Sequence, residues 1–564
     1  MADTQTQGEL TDGFHLVVEA LKLNNIETIY GVVGIPITNL ARLAQAEGIR
    51  YLGFRHEQSA GNAAAISGYL KQWPGVCLTV SGTGCISGLV AVANATRNCF
   101  PMILISGSGD RAKVDLQQGA YEELDLLATA KPFAKAAFRI TRAEDIGLGI
   151  ARAIRTAISG RPGGVFVDIS GDALSSTTDK SAEAALIKVV DPAPKQVPAP
   201  ESVSRALGLL ANAKRPLIML GKGAAYAQAD AAIRSFIEKT GIPFLPMSMA
   251  KGLLPDNHPQ IAAAARSFVL GQADVVMLVG ARLNWLLGHG ESPQWAPDAK
   301  FIQIEIDPSE FDSNRGIAAP VSGDIGSAMA AFNAGLASTP IHAPKEWTDE
   351  IHGRRVKSEA KMAADLQADP EPMMFRNALR TIRDVLDKHD DVYLVNEGAN
   401  TLDMGRLIID MKHPRRRLDP GTWAPMGIGM GYAIGAAVVS GKPVVAVEGD
   451  SAFGFSGMEI ETICRYHLPV VIVVFNNGGV YKGDETNSSG DPSPTILLGS
   501  SRYDKMMEAF GGKGYHVTKS AELSAALTAA LAAGVPAIIN CVIDPKAGVE
   551  SGRLQKLNKT SAIK

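Results

Sequence analysis

Apolar runs of strand length alternate with Ala- and Gly-rich stretches along almost the whole chain. TIYGVV (28–33), VCLTV (76–80), MILISG (102–107) and GVFVDIS (164–170) punctuate the first third. PLIMLG (216–221), VVMLVG (275–280) and FIQIEID (301–307) mark the second, and VYLVNEG (392–398), VVAVEGD (444–450), VVIVVFNN (470–477) and AIINCVID (537–544) the last. Runs that are apolar at consecutive rather than alternate positions predict strands buried on both faces, hence parallel sheets covered by helices. Two breaks interrupt the rhythm. VVDPAPKQVPAPES (189–202) is proline-dense, as an interdomain linker is. EWTDEIHGRRVKSEAKMAADLQADPEPM (346–373) is polar, charged and helical in character. The pattern predicts an α/β protein of three doubly wound parallel-sheet domains, at 1–190, 191–368 and 369–564.

Composition narrows the class. With 46% hydrophobic and 20% charged residues the chain is that of an ordinary globular protein, and 564 residues exceed what one core holds. A net charge of −3 with interspersed signs gives no basis for nucleic-acid binding. The polar, acidic start MADTQTQGELTDGF has no signal-peptide pattern, and the longest apolar runs fall short of a membrane span. Cys77, Cys85, Cys99, Cys464 and Cys541 are scattered in apolar segments without CxxC pairing, as in a reducing compartment. A cytoplasmic protein without membrane or nucleic-acid partners is expected.

Chemistry concentrates where strands end. Gly449-Asp450-Ser451 closes one apolar run, and the next closes at Asn476-Asn477-Gly478-Gly479. In a parallel sheet both fall on the carboxyl edge, where ligands bind. Asp450, the amide oxygen of Asn477 and a carbonyl near Gly479 form an all-oxygen set suited to Mg²⁺; two separate Asx turns are the plainer explanation. Glu57 lies between the strand IRYLGF and an Ala/Gly-rich helix, where a carboxylate also complements a helix N-terminus. Gly421–Gly429 (GTWAPMGIG) offers close backbone approach to a ligand, with Met426 as a wedge, or a glycine-rich helix entry. Gly221-Lys222-Gly223 opens a helix after PLIML, an anion seat or an ordinary strand–helix turn. Arg282 and Asp307 also follow strands, the latter where an acid can meet a ribose hydroxyl.

GDS followed 27 residues after Asp450 by the second Asn of NN resembles the thiamine-diphosphate motif of the acetolactate-synthase and pyruvate-oxidase group. The resemblance covers essentially the whole chain. GVVGIPITNLAR (31–42), DLQQGAYEELD (115–125), LGKGAAYAQAD (220–230), VNEGANTLD (395–403), EGDSAFGFSGMEIETICRY (448–466) and AGVESGR (547–553) resemble the oxalyl-CoA decarboxylases within that group. It implies a pyrimidine-binding, a central ADP/CoA-binding and a diphosphate/Mg²⁺-binding domain, the last with a closing C-terminal segment. Asp450, Asn477 and Gly479 would hold the metal, and Ala424, Pro425, Met426, Gly449, Ser451, Asn477 and Tyr481 the cofactor. Glu57 would bond the aminopyrimidine ring so that the thiazolium carbon can lose its proton. Tyr121, Glu122, Tyr481 and Ser551 would order substrate and water. ADP, a regulatory ligand, would meet Arg161, Lys222, Arg282, Asp307 and Asp324. The acyl-CoA would lie near Ile35, Ala262, Ala265, Arg266, Asn400, Ser551 and Arg553. Cofactor ends held by different subunits imply an obligate homodimer, with a homotetramer expected, and non-oxidative conversion of oxalyl-CoA to formyl-CoA and CO₂.

The chain departs from the family pattern in places. GDS stands for GDG, Ala424-Pro425 for Gly-Val, Ala120 for an acid, Ile169-Ser170-Gly171 for Leu-Pro-Ala, and SGTGCISG (81–88) for SAPGFLNG. Pro425 removes an N–H beside the expected cofactor loop. A 2-hydroxyacyl-CoA lyase, yielding formyl-CoA and an aldehyde or ketone, and a catalytically silent nucleotide-binding paralogue are the alternatives. Glu57, Asp450 and Asn477 together weigh against the silent copy.

Overall fold

The computed structural model describes residues 9–120 and 124–549. They form two compact units. One takes the chain up to Pro194 with Trp423–Gly441 and Gly454–Leu468; the other takes Lys195–Thr422, Lys442–Phe453 and the chain from Pro469. The break at 194/195 falls in the proline-dense stretch.

The first unit is built on a six-stranded, all-parallel sheet. Its strands are β1 (Thr28–Val32), β2 (Arg50–Gly53), β3 (Gly75–Thr79), β4 (Met102–Ser108), β5 (Ala136–Ile140) and β6 (Gly164–Ser170), in the order β2-β1-β3-β4-β6-β5. Helices α1 (Glu57–Lys71) and α2 (Thr83–Asn98) follow β2 and β3 directly, so both begin at the carboxyl edge of the sheet. A short antiparallel pair, Leu10–Asp12 with Thr177–Asp179, joins the two ends of this segment.

The second unit holds two further parallel sheets. One comprises β7 (Pro216–Leu220), β8 (Phe244–Pro246), β9 (Val275–Val279), β10 (Lys300–Glu305) and β11 (Ala319–Ser322), ordered β8-β7-β9-β10-β11. The polar segment at 346–373 lies largely within the 23-residue helix α3 (Lys345–Gln367), tied down where Trp347 donates to the Pro216 carbonyl at 2.9 Å. The last sheet comprises β12 (Tyr393–Glu397), β13 (Arg417–Leu418), β14 (Val444–Gly449), β15 (Val470–Asn476), β16 (Lys513–Val517) and β17 (Ala537–Val542), ordered β13-β12-β14-β15-β17-β16, with α4 (Ala399–Ile408) after β12. Doubly wound α/β architecture is therefore present in all three sheets.

Two helices from late in the chain, α5 (Gly429–Ser440) and α6 (Ile460–Arg465), belong to the first unit. Glycine explains how α5 packs. A Cβ on Gly431 would lie 2.6 Å from the Ser59 carbonyl oxygen, and one on Gly435 2.6 Å from that of Ala63, so α5 rides directly on the α1 backbone. Their shared interior is polar at one point: Asn94 of α2 donates to Asn62 of α1 and to the Tyr432 hydroxyl of α5, both at 3.0 Å. The Asn94 amide, satisfied on both sides, locks three helices in register. Among the described residues no helix is long and apolar enough to cross a membrane.

Candidate active site

β14 and β15 are neighbours, with Gly449 paired to Phe475, so the turns that follow them share one end of the sheet. Asp450 is only 2% exposed there. Its carboxylate accepts from Ser451 N at 2.7 Å and Gly478 N at 2.8 Å. Burial nevertheless pushes the carboxyl up to about 6, because these hydrogen bonds offset only part of the lost hydration. Asn477, 5% exposed, donates its amide N–H to the Tyr481 carbonyl at 2.8 Å, which leaves its oxygen as the group that can ligate. The loop is wound tightly: a Cβ on Gly483 would lie 1.8 Å from the Asn477 carbonyl oxygen, and one on Gly479 2.3 Å from that of Lys482. A buried carboxylate with no ion pair among the described residues, beside a neutral amide oxygen, fits a hard divalent cation and does not fit a soft one.

The strand end behind this turn is acidic too. Glu397 and Glu448 sit side by side in register on β12 and β14, both fully buried. Burial, aided by the Glu397 charge, drives Glu448 well above the carboxylate range, so Glu448 itself brings little negative charge to the turn. On the other side, Gly548 packs where a Cβ would meet the Tyr481 carbonyl oxygen at 1.5 Å, and Val549 N donates to Asn400 Oδ1 at 3.0 Å. Asp450, Asn477, Gly479, Tyr481 and Asn400 are thus brought to one end of one sheet. Gly449 closes β14 and Ser451 donates to Asp450.

In the first unit, Glu57 is the first residue of α1, capped by His56, whose Nδ1 accepts from Gln58 N at 3.2 Å. Its carboxylate lies over the first turn of α2. A Cβ on Gly84 would come within 2.8 Å of Glu57 Oε1 and 2.2 Å of Val80 Cγ1. Only glycine leaves room there, and the SGTGCISG stretch keeps it. Gly84→Ala is expected to lower kcat by about 10²-fold through displacement of Glu57, while overpacking costs ~1–3 kcal/mol of stability; steady-state kinetics beside thermal unfolding separates the two effects. Cys85, on the same turn, is buried with its thiol pushed up to about 12 by burial, which makes it a packing group rather than a nucleophile.

The 423–427 loop also belongs to this unit. Ala424 has φ of +52°, a left-handed conformation that costs an L-residue roughly 1–2 kcal/mol. Gln58 Nε2 donates to the Met426 carbonyl at 2.9 Å and fixes the loop beside the start of α1. Pro425 follows Ala424 directly. Stored strain of this kind accompanies loops that must present backbone to a ligand.

One residue of the 448–466 stretch was not singled out by the sequence. Glu459 precedes α6, is 1% exposed, and accepts from Arg55 N at 3.2 and 3.3 Å, from His56 N at 3.0 Å and from Thr462 Oγ1 at 2.6 Å. The signal available in sequence was an acidic residue three positions before Thr462, but its partners lie about 400 residues away. Burial raises the Glu459 carboxyl to about 7, against the hydrogen bonds from Thr462, Arg55, His56 and Ser59 that lower it. A carboxyl whose folded pKa exceeds its unfolded value of 4.5 stabilises fully below pH 4.5 and loses that contribution as pH rises through 7. As pH rises from 5 to 8, wild type is expected to lose up to ~3 kcal/mol of stability that Glu459→Gln, which cannot ionise, does not lose. Denaturant unfolding at the two pH values checks this.

The remaining candidates distribute unevenly. Lys222, Arg282, Asp307 and Asp324 follow β7, β9, β10 and β11, so they line the carboxyl edge of the central sheet. Asp307 accepts from Ser309 N at 3.1 Å, and Asp324 caps helix Ile325–Gly335 through Ser327 N at 2.8 Å. Arg161 belongs to the first unit, as does Ile35, which is 69% exposed. Ala262 and Ala265 are members of the central core, so only their backbone can meet a ligand; Arg266 opens helix Arg266–Gln272. Tyr121, Glu122, Ser551 and Arg553 lie outside the described residues.

Family models match three stretches of the chain. Residues 11–129 match the thiamine pyrophosphate enzyme N-terminal TPP binding domain, 203–332 its central domain, and 397–541 its C-terminal TPP binding domain. The chain is 61% identical over 555 residues to a protein of Escherichia coli (strain K12) named oxalyl-CoA decarboxylase, covering 98% of both. It is 45% identical over 570 residues to 2-hydroxyacyl-CoA lyase of Oryza sativa subsp. japonica, covering 97% of this chain and 98% of that one. To 2-hydroxyacyl-CoA lyase 1 of Homo sapiens it is 40% identical over 557 residues, 96% of each. With its sheets, its strand-end turns and these matches, the chain belongs to the thiamine pyrophosphate enzyme family.

Proposed function

We propose that this protein decarboxylates oxalyl-CoA, releasing CO₂ and, after uptake of one proton, formyl-CoA. The observation that carries the substrate is the 61% identity, over 98% of both chains, to the Escherichia coli relative of that name; the lyases stand at 45% and 40%. Thiamine diphosphate, when bound, supplies a nucleophilic carbon and a sink for the electron pair left by CO₂.

The chain's own residues do the rest. Asp450, the Asn477 oxygen and a carbonyl at Gly479 hold Mg²⁺, and Gly449 and Ser451 border the diphosphate. Glu57 holds a proton at the pyrimidine ring, in the slot that Gly84 keeps open. Ala424, Pro425 and Met426 present backbone and a side-chain wedge to the cofactor. Tyr481, Tyr121, Glu122 and Ser551 order substrate and water, and the C-terminal segment excludes solvent, which strengthens every polar contact inside. Ile35, Ala262, Ala265, Arg266, Asn400 and Arg553 receive the CoA moiety. Two copies of the chain complete each site, within a homotetramer. ADP meets Lys222, Arg282, Asp307 and Asp324 along the central sheet edge, with Arg161, as a regulatory ligand. Five cysteines, none of them in a disulfide, fit work in the reducing cytoplasm.

Incubating the protein with thiamine diphosphate, Mg²⁺ and either oxalyl-CoA or a 2-hydroxyacyl-CoA tests the substrate. Faster turnover of oxalyl-CoA is expected. Cleavage of the 2-hydroxyacyl-CoA alone would replace this reading with the lyase.

A further inference from the structure

Side chains from one short segment, 459–466, hold the turn that delivers Glu57, at Gly53, Arg55 and His56. Tyr466 Oη accepts from Gly53 N at 2.8 Å, and Arg465 donates to the Gly53 carbonyl at 2.7 Å. The Arg465 guanidinium, in turn, is fixed by Glu461 at 2.9 and 3.0 Å and lies over the Tyr466 ring. Glu459 then takes both N–H groups that immediately precede the helix, those of Arg55 and His56. One carboxyl group receiving two adjacent backbone N–H bonds is a two-point clamp, more directional than a single acceptor. Thr462 orients the clamp from behind through its 2.6 Å bond to Glu459 Oε2.

We infer that Glu459 is a positioning residue for Glu57, a role that rests on the reading of Glu57 as the group that serves the cofactor's pyrimidine ring. The tolerance at Glu57 is small, because its carboxylate already lies within 2.8 Å of where a Cβ on Gly84 would stand. A turn freed at Arg55 and His56 pivots about the capped first residue of α1 and carries the carboxylate off its line. Glu459 touches no reacting atom, and its effect passes wholly through the 53–57 backbone.

The test is exchange of the thiazolium C2 proton for deuterium in the full-length protein loaded with thiamine diphosphate and Mg²⁺ and without substrate. Wild type, Glu57→Gln, Glu459→Gln, the double variant and Tyr466→Phe are compared. Glu459→Gln is expected to slow exchange about ten- to a hundredfold, with cofactor affinity within about threefold of wild type. On the Glu57→Gln background it is expected to add nothing, since both changes act through one group. Tyr466→Phe loses only a hydroxyl and is expected to slow exchange several-fold, which keeps the test available if Glu459→Gln fails to fold. Wild-type exchange in both Glu459→Gln and Tyr466→Phe, beside slow exchange in Glu57→Gln, overturns the inference. So does an additive effect in the double variant, the mark of general structural support. Wild-type exchange in Glu57→Gln overturns the reading of Glu57 instead.

Discussion

Replacing Glu57 with glutamine is expected to lower kcat by about 10²- to 10⁴-fold, the span over which a positioned acid–base group contributes. Glutamine keeps the length and volume of the side chain, so the slot beside Gly84 stays filled and α1 keeps its cap at His56. What it loses is the ability to take and return a proton. Cofactor affinity should therefore change little, and KM for the acyl-CoA should stay within a few-fold, which makes the loss a loss in kcat. Full activity in Glu57→Gln would remove the carboxylate from the chemistry altogether.

Asp450→Ala is expected to act in the opposite way, on binding before turnover. Removal of the carboxylate leaves the N–H groups of Ser451 and Gly478 without their acceptor. Both the lost ligand and the two exposed donors oppose a cation. Mg²⁺-dependent binding of thiamine diphosphate should weaken by at least about 100-fold, since loss even of groups behind the ligands costs 10- to 100-fold in metal sites. Titration calorimetry with Mg²⁺ held constant measures it, and Glu57→Gln is the control that keeps affinity. The wild-type protein should show a related pH effect. Because burial places the metal-free Asp450 carboxyl at about 6, protons compete with Mg²⁺ below that pH, and apparent affinity should fall about tenfold per unit as pH drops further. Undiminished Mg²⁺ affinity in Asp450→Ala would move the metal elsewhere.

The inner strands were legible because a parallel strand covered on both faces must be apolar at nearly every position, as VVAVEG and VVIVVF are. Edge strands obey no such demand. Ala136–Ile140, Phe244–Pro246, Ala319–Ser322, Arg417–Leu418 and Lys513–Val517 each lie at the rim of a sheet, short or polar, and no apolar run announced them. Arg417 makes the point sharply: it is fully buried, yet as a charged residue it reads as surface. The same contrast holds for chemistry. Asp450 and Asn477 were readable as a pair because consecutive strands placed them on one edge. Glu459 was not, because its meaning comes from Arg55 and His56, brought to it by α5 riding on α1 rather than by proximity in sequence. The positive φ at Ala424 was equally hidden, since alanine carries no turn signal.

Decarboxylation of oxalyl-CoA is tested most directly by running the reaction in D₂O with thiamine diphosphate and Mg²⁺ and analysing both products. One CO₂ should form per formyl-CoA, and the formyl carbon should carry deuterium, because the proton that replaces the carboxylate comes from solvent through the protein's own groups. No CO₂ from oxalyl-CoA, under conditions where the bound cofactor exchanges its C2 proton, would contradict it.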